Sequence, residues 1–226
     1  ALQAEQLGFK YLPIDISEHA LRNLETSIRK EFPKVKVETL QGDYFGVLEN
    51  IKSYRSRKVI MFLGSNLGNL EDSDAQCFMH KLSAALQVGD KLILGLDRIK
   101  SEAIILPAYN DQQGITKAFN LNLLHRINKE LNADFNIANF DHQPEYSEET
   151  GIAKSFLVSK VHQKVTFTAE DKSYWFTEGE KIQTEISRKY NDDILETLLT
   201  NTKLVQRAKI SDSKGLFNSY ILERKA

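Results

Sequence analysis

Four apolar runs in this chain end on groups that could hold a polar small molecule. Lys10-Tyr11-Leu12-Pro13-Ile14 ends on Asp15, residues 35–40 lead to Gly42-Asp43, residues 59–63 lead to Gly64-Ser65-Asn66-Leu67-Gly68-Asn69, and residues 91–96 end on Asp97. In an open α/β sheet, ligands bind beyond the carboxyl ends of the strands. A carboxylate after one strand can accept from both hydroxyls of a ribose, and one after the next from an adenine amino group. Asp15 and Asp43 sit at such successive ends. Asp is also a good N-cap, so either could simply start the helix that follows; two in succession favour the ligand role. In the 64–69 loop, two glycines let the backbone approach a ligand or adopt positive φ. Asn66 and Asn69 add amide donors and acceptors there, although a plain glycine turn is the alternative.

The elements that must position these groups follow from periodicity. Ser17 caps a helix reaching about residue 32, with Ala20, Leu21, Leu24 and Ile28 at helical spacing. A short helix over about 44–51 follows Asp43, and another runs from Asp72 or Ser73 to about 86. The continuous apolar run 59–63 reads as a strand buried on both faces. Strand and helix alternating at this pitch imply βαβ units and a parallel sheet. The pattern then changes. Residues 102–109 and 115–131 read as helices, and 139–186 alternates with period two, as antiparallel strands do. A helix over 191–199 and a strand pair over 203–211 and 217–222 close the chain. The expected organisation is an α/β core over 1–106, an inserted α+β lobe over 107–189, and a return to the core over 190–226. The stripe Phe119, Leu123, Ile127, Leu131 is expected to pack its helix onto the lobe. Nothing before Lys10 supplies a first strand with a glycine-rich turn, and residues 1–7 read as the end of a helix. The chain is therefore expected to begin after the first strand, its loop and most of its first helix, that segment lying outside this sequence, removed from it or not visible.

With a formal net charge of −1 the chain has no broad basic field, which disfavours nucleic acid as a partner. No apolar run is long enough to span a bilayer, and no signal peptide is visible. Cys77 is the lone cysteine, so no internal disulfide forms, and its helical neighbours predict a packing role. A cytoplasmic location fits these features. The histidines are scattered, which argues against a metal site. No Gly-x-Ser-x-Gly elbow is present.

Four motifs in order carry a resemblance: Phe62-Leu63-Gly64-Ser65-Asn66-Leu67-Gly68-Asn69; Ala108-Tyr109-Asn110-Asp111 with Gly114-Ile115-Thr116; Ala118-Phe119-Asn120; and Thr184-Glu185-Ile186-Ser187. From about Tyr11 onward the chain resembles the histidine-specific N-methyltransferases, which form trimethylhistidine in ergothioneine synthesis. The resemblance implies a class I, Rossmann-like methyltransferase core whose first strand and glycine-rich loop are missing here, with an inserted substrate-binding lobe. It implies S-adenosylmethionine as methyl donor, no metal, and histidine as the small-molecule substrate. Asp15 would hold the donor's ribose, Asp43 and Tyr44 its adenine, with Gly64 and Ser65 beside them. Asn69 and Tyr109, the expected catalytic pair, would hold the substrate's amino-acid head group, and Glu185 and Ser187 its imidazole.

The chemistry is compatible with these residue types. Methyl transfer from a sulfonium to an amine is an in-line displacement in which the protein mainly positions the partners. A neutral amide and a phenol can orient an unprotonated amine without stabilising its ammonium form. A carboxylate and a hydroxyl two residues apart on a strand share a face, so Glu185 and Ser187 could bond both nitrogens of an imidazole; an exposed Glu on a strand surface is the alternative. The sequence departs from the family at Asn66, where Thr is common, and at Asn110, where Asp is common. Ser155 or Phe156 occupies the stretch where a pocket methionine is expected. Another amino acid or amine as substrate, or a non-catalytic fragment unable to bind the donor, are the rival readings.

Overall fold

The computed structural model describes residues 8–226; the helix end expected over 1–7 lies outside the described residues. The chain begins with two short strands, β1 (Lys10–Tyr11) and β2 (Ile14–Asp15), then helix α1 (Glu18–Glu31). Strands β3 (Lys36–Val37) and β4 (Leu40–Gln41) pair in parallel with β1 and β2. A single strand is expected on each side, yet both are split. The N–H groups of Glu38, Leu40 and Gly42 donate to the carbonyls of Tyr11, Pro13 and Asp15 without a break. Pro13 has no N–H to return, which interrupts the ladder midway.

Helix α2 (Tyr44–Ser53), strand β5 (Val59–Phe62), helix α3 (Asp72–Ala85) and strand β6 (Lys91–Asp97) continue the βαβ pattern. After a further α+β segment, one helix and a reversed hairpin complete a four-stranded sheet. The segment between β6 and the next core helix comprises α4 (Glu102–Tyr109), α5 (Ile115–Leu131), β7 (Phe140–Ser147), β8 (Ile152–Ser159), β9 (Gln163–Phe167), β10 (Lys172–Phe176) and β11 (Lys181–Arg188). Then come α6 (Asp192–Leu199), β12 (Leu204–Ser211) and β13 (Phe217–Arg224). The sheet order is β12-β13-β6-β5, with β5 and β6 parallel and β13 antiparallel to both neighbours.

The main core lies between this sheet and α2, α3 and α6. Leu92, Leu94 and Leu96 of β6 meet Phe78, Met79 and Leu82 of α3 and Leu195 and Leu198 of α6. Each fully buried side chain of this size contributes about 1.5–3 kcal/mol. The expectation that β5 is buried on both faces is corrected. Ile60 and Phe62 pack on the core, but Val59 is 60% and Met61 62% exposed. Among the described residues β5 bonds to β6 alone and nothing covers its second face. Cys77 is also exposed rather than packed, because α3 turns Ala75, Phe78, Met79 and Leu82 inward instead.

The second core belongs to the insertion. Helix α5 lies on the antiparallel sheet β11-β8-β7, and Leu124, Phe135, Phe140, Leu157 and Val165 close around one another. The inward face of α5 keeps only the middle of the expected stripe, with Ile127 packed on this core and Leu123 part-buried. Phe119 is 77% exposed and Leu131 is exposed, while Asn120 and Leu124 are buried. Polar bonds set this rotation. Asn120 accepts from the Thr184 hydroxyl at 2.6 Å, and Asn128 both accepts from and donates to the Phe135 backbone at 2.8 Å. No helix among the described residues is long and apolar enough to cross a membrane.

Candidate active site

At the tips of the short parallel strands, Asp15 and Asp43 are both exposed. Asp15 Oδ1 accepts from the Ser17 backbone N–H at 2.8 Å, which orients the turn into α1; the helix itself is capped by Ser17. Asp43 caps α2, its Oδ1 accepting from Phe45 and Gly46 N–H, each at 2.8 Å. A capping role leaves room for a ligand, since each carboxylate uses only one oxygen for the turn. The Tyr44 ring leans edge-on against Phe62, centroids 5.1 Å apart, and stays partly exposed beside Asp43. That set suits a nucleoside: two carboxylates with a free oxygen each and an aromatic edge between strand tips.

The 64–69 loop bridges from this side to the insertion. Gly64 has φ +75° and Ser65 φ +58°, so two consecutive residues take the left-handed conformation. Ser65 holds the loop to β6: its N–H donates to Gly95 O at 3.2 Å and its hydroxyl accepts from Asp97 N–H at 3.0 Å. Residues 66–69 form a 3-10 turn. Here Gly68 is required by contact, not by φ. A Cβ at that position would lie 2.5 Å from the carbonyl oxygen of Arg188. The turn thus sits directly on the β11 backbone, with Asn69 next in sequence and exposed.

On the other side of that contact lies a buried polar cluster centred on Lys189, which is 4% exposed. Its ammonium donates to the Tyr109 hydroxyl at 2.8 Å and to the Ser187 hydroxyl at 2.8 Å, and pairs with Asp97 Oδ2 at 3.3 Å. Lys100 pairs with the other Asp97 oxygen. One cation therefore ties the end of β6, the end of α4 and the end of β11 together. Glu185 lies two residues before Ser187 on the same strand, half-buried, opposite fully buried Ser155, whose hydroxyl reaches Glu185 Oε2 at 3.4 Å. A register shift between Gln183 and Glu185 inserts Thr184 as an extra residue. Its hydroxyl bonds Asn120 of α5 and shares the Ser155 carbonyl. That bulge fixes which way Glu185 and Ser187 face.

Of the residues singled out in the sequence, Tyr109 and Ser187 meet through Lys189, Glu185 shares their strand face, and the turn holding Asn69 rests on β11. Asp15, Asp43 and Tyr44 make no contact with this cluster. Lys189 was missed; Asp97, Asn120 and Ser155 were singled out as a strand end, a motif residue and a pocket position, but not with these partners. Lys189 had a signal: alternation from Glu185 through Ser187 puts it on the same face. His142 of β7 is a further surprise, with both ring nitrogens buried and unpartnered; burial pushes its pKa down. Among the described residues no cluster of three or more His, Cys, Asp or Glu could hold a metal ion.

The model of the histidine-specific, S-adenosylmethionine-dependent methyltransferases matches residues 1–224. The chain belongs to that family. It is 31% identical over 217 residues to the histidine N-alpha-methyltransferase of Mycolicibacterium smegmatis, covering 96% of this chain and 67% of the relative. It is 33% identical over 208 residues to the histidine N-alpha-methyltransferase of Mycobacterium tuberculosis, covering 92% and 64%. The chain thus spans about two thirds of the length of these relatives. A methyltransferase structure from Streptomyces caelestis superposes with a TM-score of 0.52 at 10% identity, over all of this chain and 79% of that one. The Rossmann-like α/β methyltransferase fold expected from the sequence is therefore the fold of this family member.

Proposed function

We propose that this family member transfers methyl groups from S-adenosylmethionine to the α-amino nitrogen of L-histidine, three times, giving trimethylhistidine. The observation that carries the reading is the meeting of Tyr109, Ser187 and Lys189 around one ammonium, with Glu185 on the same face and the Asn69 turn against the same strand. These groups come from three motifs far apart in sequence. They converge only if the insertion, taken as residues 107–189, offers its β11 edge to the core.

S-adenosylmethionine would be held by Asp15 at its ribose and by Asp43 and Tyr44 at its adenine, with the 64–65 backbone alongside. When bound it supplies a methyl group on a sulfonium, an electrophile that carries its own leaving group. The chain's residues do the positioning. Asn69 and Tyr109 hold the amino-acid head group with neutral dipoles, which leaves the amine lone pair available. Glu185 accepts from one ring nitrogen of the substrate and Ser187 bonds the other. Lys189 and Asp97 hold the lobe's edge against the strand tips, so the amine and the donor meet at a fixed distance.

The test is a panel of amino acids given to the intact gene product with S-adenosylmethionine, read by mass. Histidine gaining up to three methyl groups is expected. Methylation of tryptophan or tyrosine but not histidine would replace this reading with the same chemistry on another amine. The relatives' names favour histidine, and so does a carboxylate-hydroxyl pair on one strand face.

A further inference from the structure

Lys189 has three N–H donors and no acceptor. One bonds the Tyr109 hydroxyl and one the Ser187 hydroxyl, and the carboxylate of Asp97 lies 3.3 Å away as the counter-ion. An ammonium pointed at a hydroxyl forces that oxygen to accept. The hydroxyl's own proton must then point elsewhere. Among the described residues neither the Tyr109 nor the Ser187 hydroxyl donates to any protein group. Both protons are therefore directed away from Lys189 and toward the space it borders. A free serine hydroxyl can turn to donate or accept as its partner demands. With one lone pair given to Lys189 and no protein acceptor for its proton among the described residues, Ser187 keeps one lone pair but is biased to donate outward.

We propose that Lys189 is a positioning residue that sets ring specificity by locking Ser187 and Tyr109 as outward donors. This deepens the histidine reading and rests on it. With Ser187 a fixed donor and Glu185 a carboxylate acceptor, the strand face presents one donor and one acceptor. A neutral imidazole answers with one bare nitrogen and one N–H. An imidazolium carries N–H on both nitrogens and meets the Ser187 proton head-on. A pyrrole or indole ring brings an N–H for Glu185 but only C–H to Ser187. Tyr109, locked likewise, donates to the head-group carboxylate. Lys189 acts through these two hydroxyls, with its charge balanced by Asp97.

The charged and titratable groups facing this cluster or sharing its sheet face are Asp97 and Lys100 from the end of β6, Tyr109 from α4, His142 and Tyr146 from β7, and Glu185 from β11; the facing β8 positions, Ala153 and Ser155, do not titrate. Between pH 5.5 and 8 the ligand's imidazole, with an ordinary pKa of about 6.5, titrates; burial pushes the His142 pKa down, and the variants keep His142, so its contribution is common to every protein compared.

The experiment measures histidine affinity by calorimetry from pH 5.5 to 8 on the intact gene product, on Lys189→Met, and on the double variant Lys189→Met with Asp97→Asn. The double change removes both charges of the pair and keeps an acceptor for Lys100. The unaltered protein is expected to lose affinity about tenfold per pH unit below the imidazole pKa. Both variants are expected to bind more weakly at pH 8, and to lose less than about threefold per unit, because Ser187 can then turn and accept. A variant that folds and keeps the tenfold slope overturns the proposal. A second measurement needs no variant: the histidine analogue with pyrrole in place of imidazole should bind the unaltered protein at least about 30-fold more weakly, for want of an acceptor at Ser187. Equal binding of the two rings overturns the proposal even if neither variant folds. If the unaltered protein binds no histidine at any pH, the substrate reading itself fails, and that outcome is distinct from a retained slope.

Discussion

Asp15 and Asp43 stand on the surface, each held by backbone N–H groups two or three residues away. Lys189 is buried, and one of its partners lies 80 residues earlier in the chain. The two ends of the proposed site are thus built by different means. At the donor end, each carboxylate belongs to a self-contained turn that any competent helix start would form. At the acceptor end, no polar group stands alone: Lys189 needs Asp97, Ser187 and Tyr109 answer Lys189, and Thr184 needs Asn120. A buried polar network is stable only while every member is satisfied. Substitutions should therefore act singly at the donor end and jointly at the acceptor end.

The largest expected effect is at Glu185. Replacing it with Ala removes a charged acceptor for the substrate ring, and hydrogen bonds to charged groups contribute about 1.5–3 kcal/mol. Histidine affinity should fall between about 10- and 100-fold by calorimetry. Thermal stability should barely move, since Glu185 has just one long contact, from Ser155 at 3.4 Å. Donor affinity should not change. A loss of donor affinity as large as that for histidine would break the division between the two ends.

Thr184→Val should come next, and on stability rather than affinity. The hydroxyl it deletes is the 2.6 Å donor to Asn120, whose side chain is buried on α5. Leaving that amide oxygen unsatisfied costs about 1–3 kcal/mol. A urea midpoint unchanged by this substitution would show that water replaces the bond, and that the acceptor end is less interdependent than its geometry implies.

At the donor end the expected changes are smaller and separable. Asp43→Asn keeps an N-cap of similar quality, so the melting temperature should hold. The lost charge should weaken S-adenosylhomocysteine binding by roughly fivefold, about 1 kcal/mol, as for an exposed hydrogen bond. Asp43→Ala should show the same binding loss plus about 1 kcal/mol of stability from the missing cap. If Asn costs as much stability as Ala, the carboxylate charge rather than the cap holds α2.

This division also decides what could be read from the sequence. Asp15, Asp43 and the 64–69 loop were legible because caps, strand ends and glycine turns are local patterns. Most elements were legible for the same reason: α4 and α5 fall on the expected residues. The orientation of α5 was not. Its apolar stripe is outvoted by Asn120 and Asn128, which turn inward to partners on β11 and at Phe135. A polar residue facing a core is invisible until its distant partner is known. The exposure of Val59 and Met61 was hidden likewise, since a run of apolar residues does not say whether a neighbour covers each face. Lys189 combines both difficulties. Its strand phase was readable, but its burial depends on Asp97 and Tyr109, which no spacing connects to it.

Asp111 offers the smallest effect and the finest test of the comparison. It lies two residues after Tyr109, close to the acceptor end, yet its bonds are local. Its carboxylate accepts from Thr116 N–H at 2.7 Å and Ile115 N–H at 2.9 Å, starting α5 where Gly114 turns left-handed. Those backbone donors, Thr116 first, hold its pKa down at about 2. An unfolded Asp titrates near 3.9, so the stability from this ionised cap is complete above about pH 4 and disappears as pH falls toward 2. The stability difference between the unaltered protein and Asp111→Asn should therefore be constant from pH 7 down to about 4 and shrink below it, as read from urea midpoints. Because the carboxyl is exposed, the difference should also fall with added salt. Histidine affinity at pH 8 should stay within about twofold. If instead affinity drops as far as for Glu185→Ala, the turn is part of the interdependent cluster, and the boundary between the two kinds of construction runs before residue 111 rather than after it.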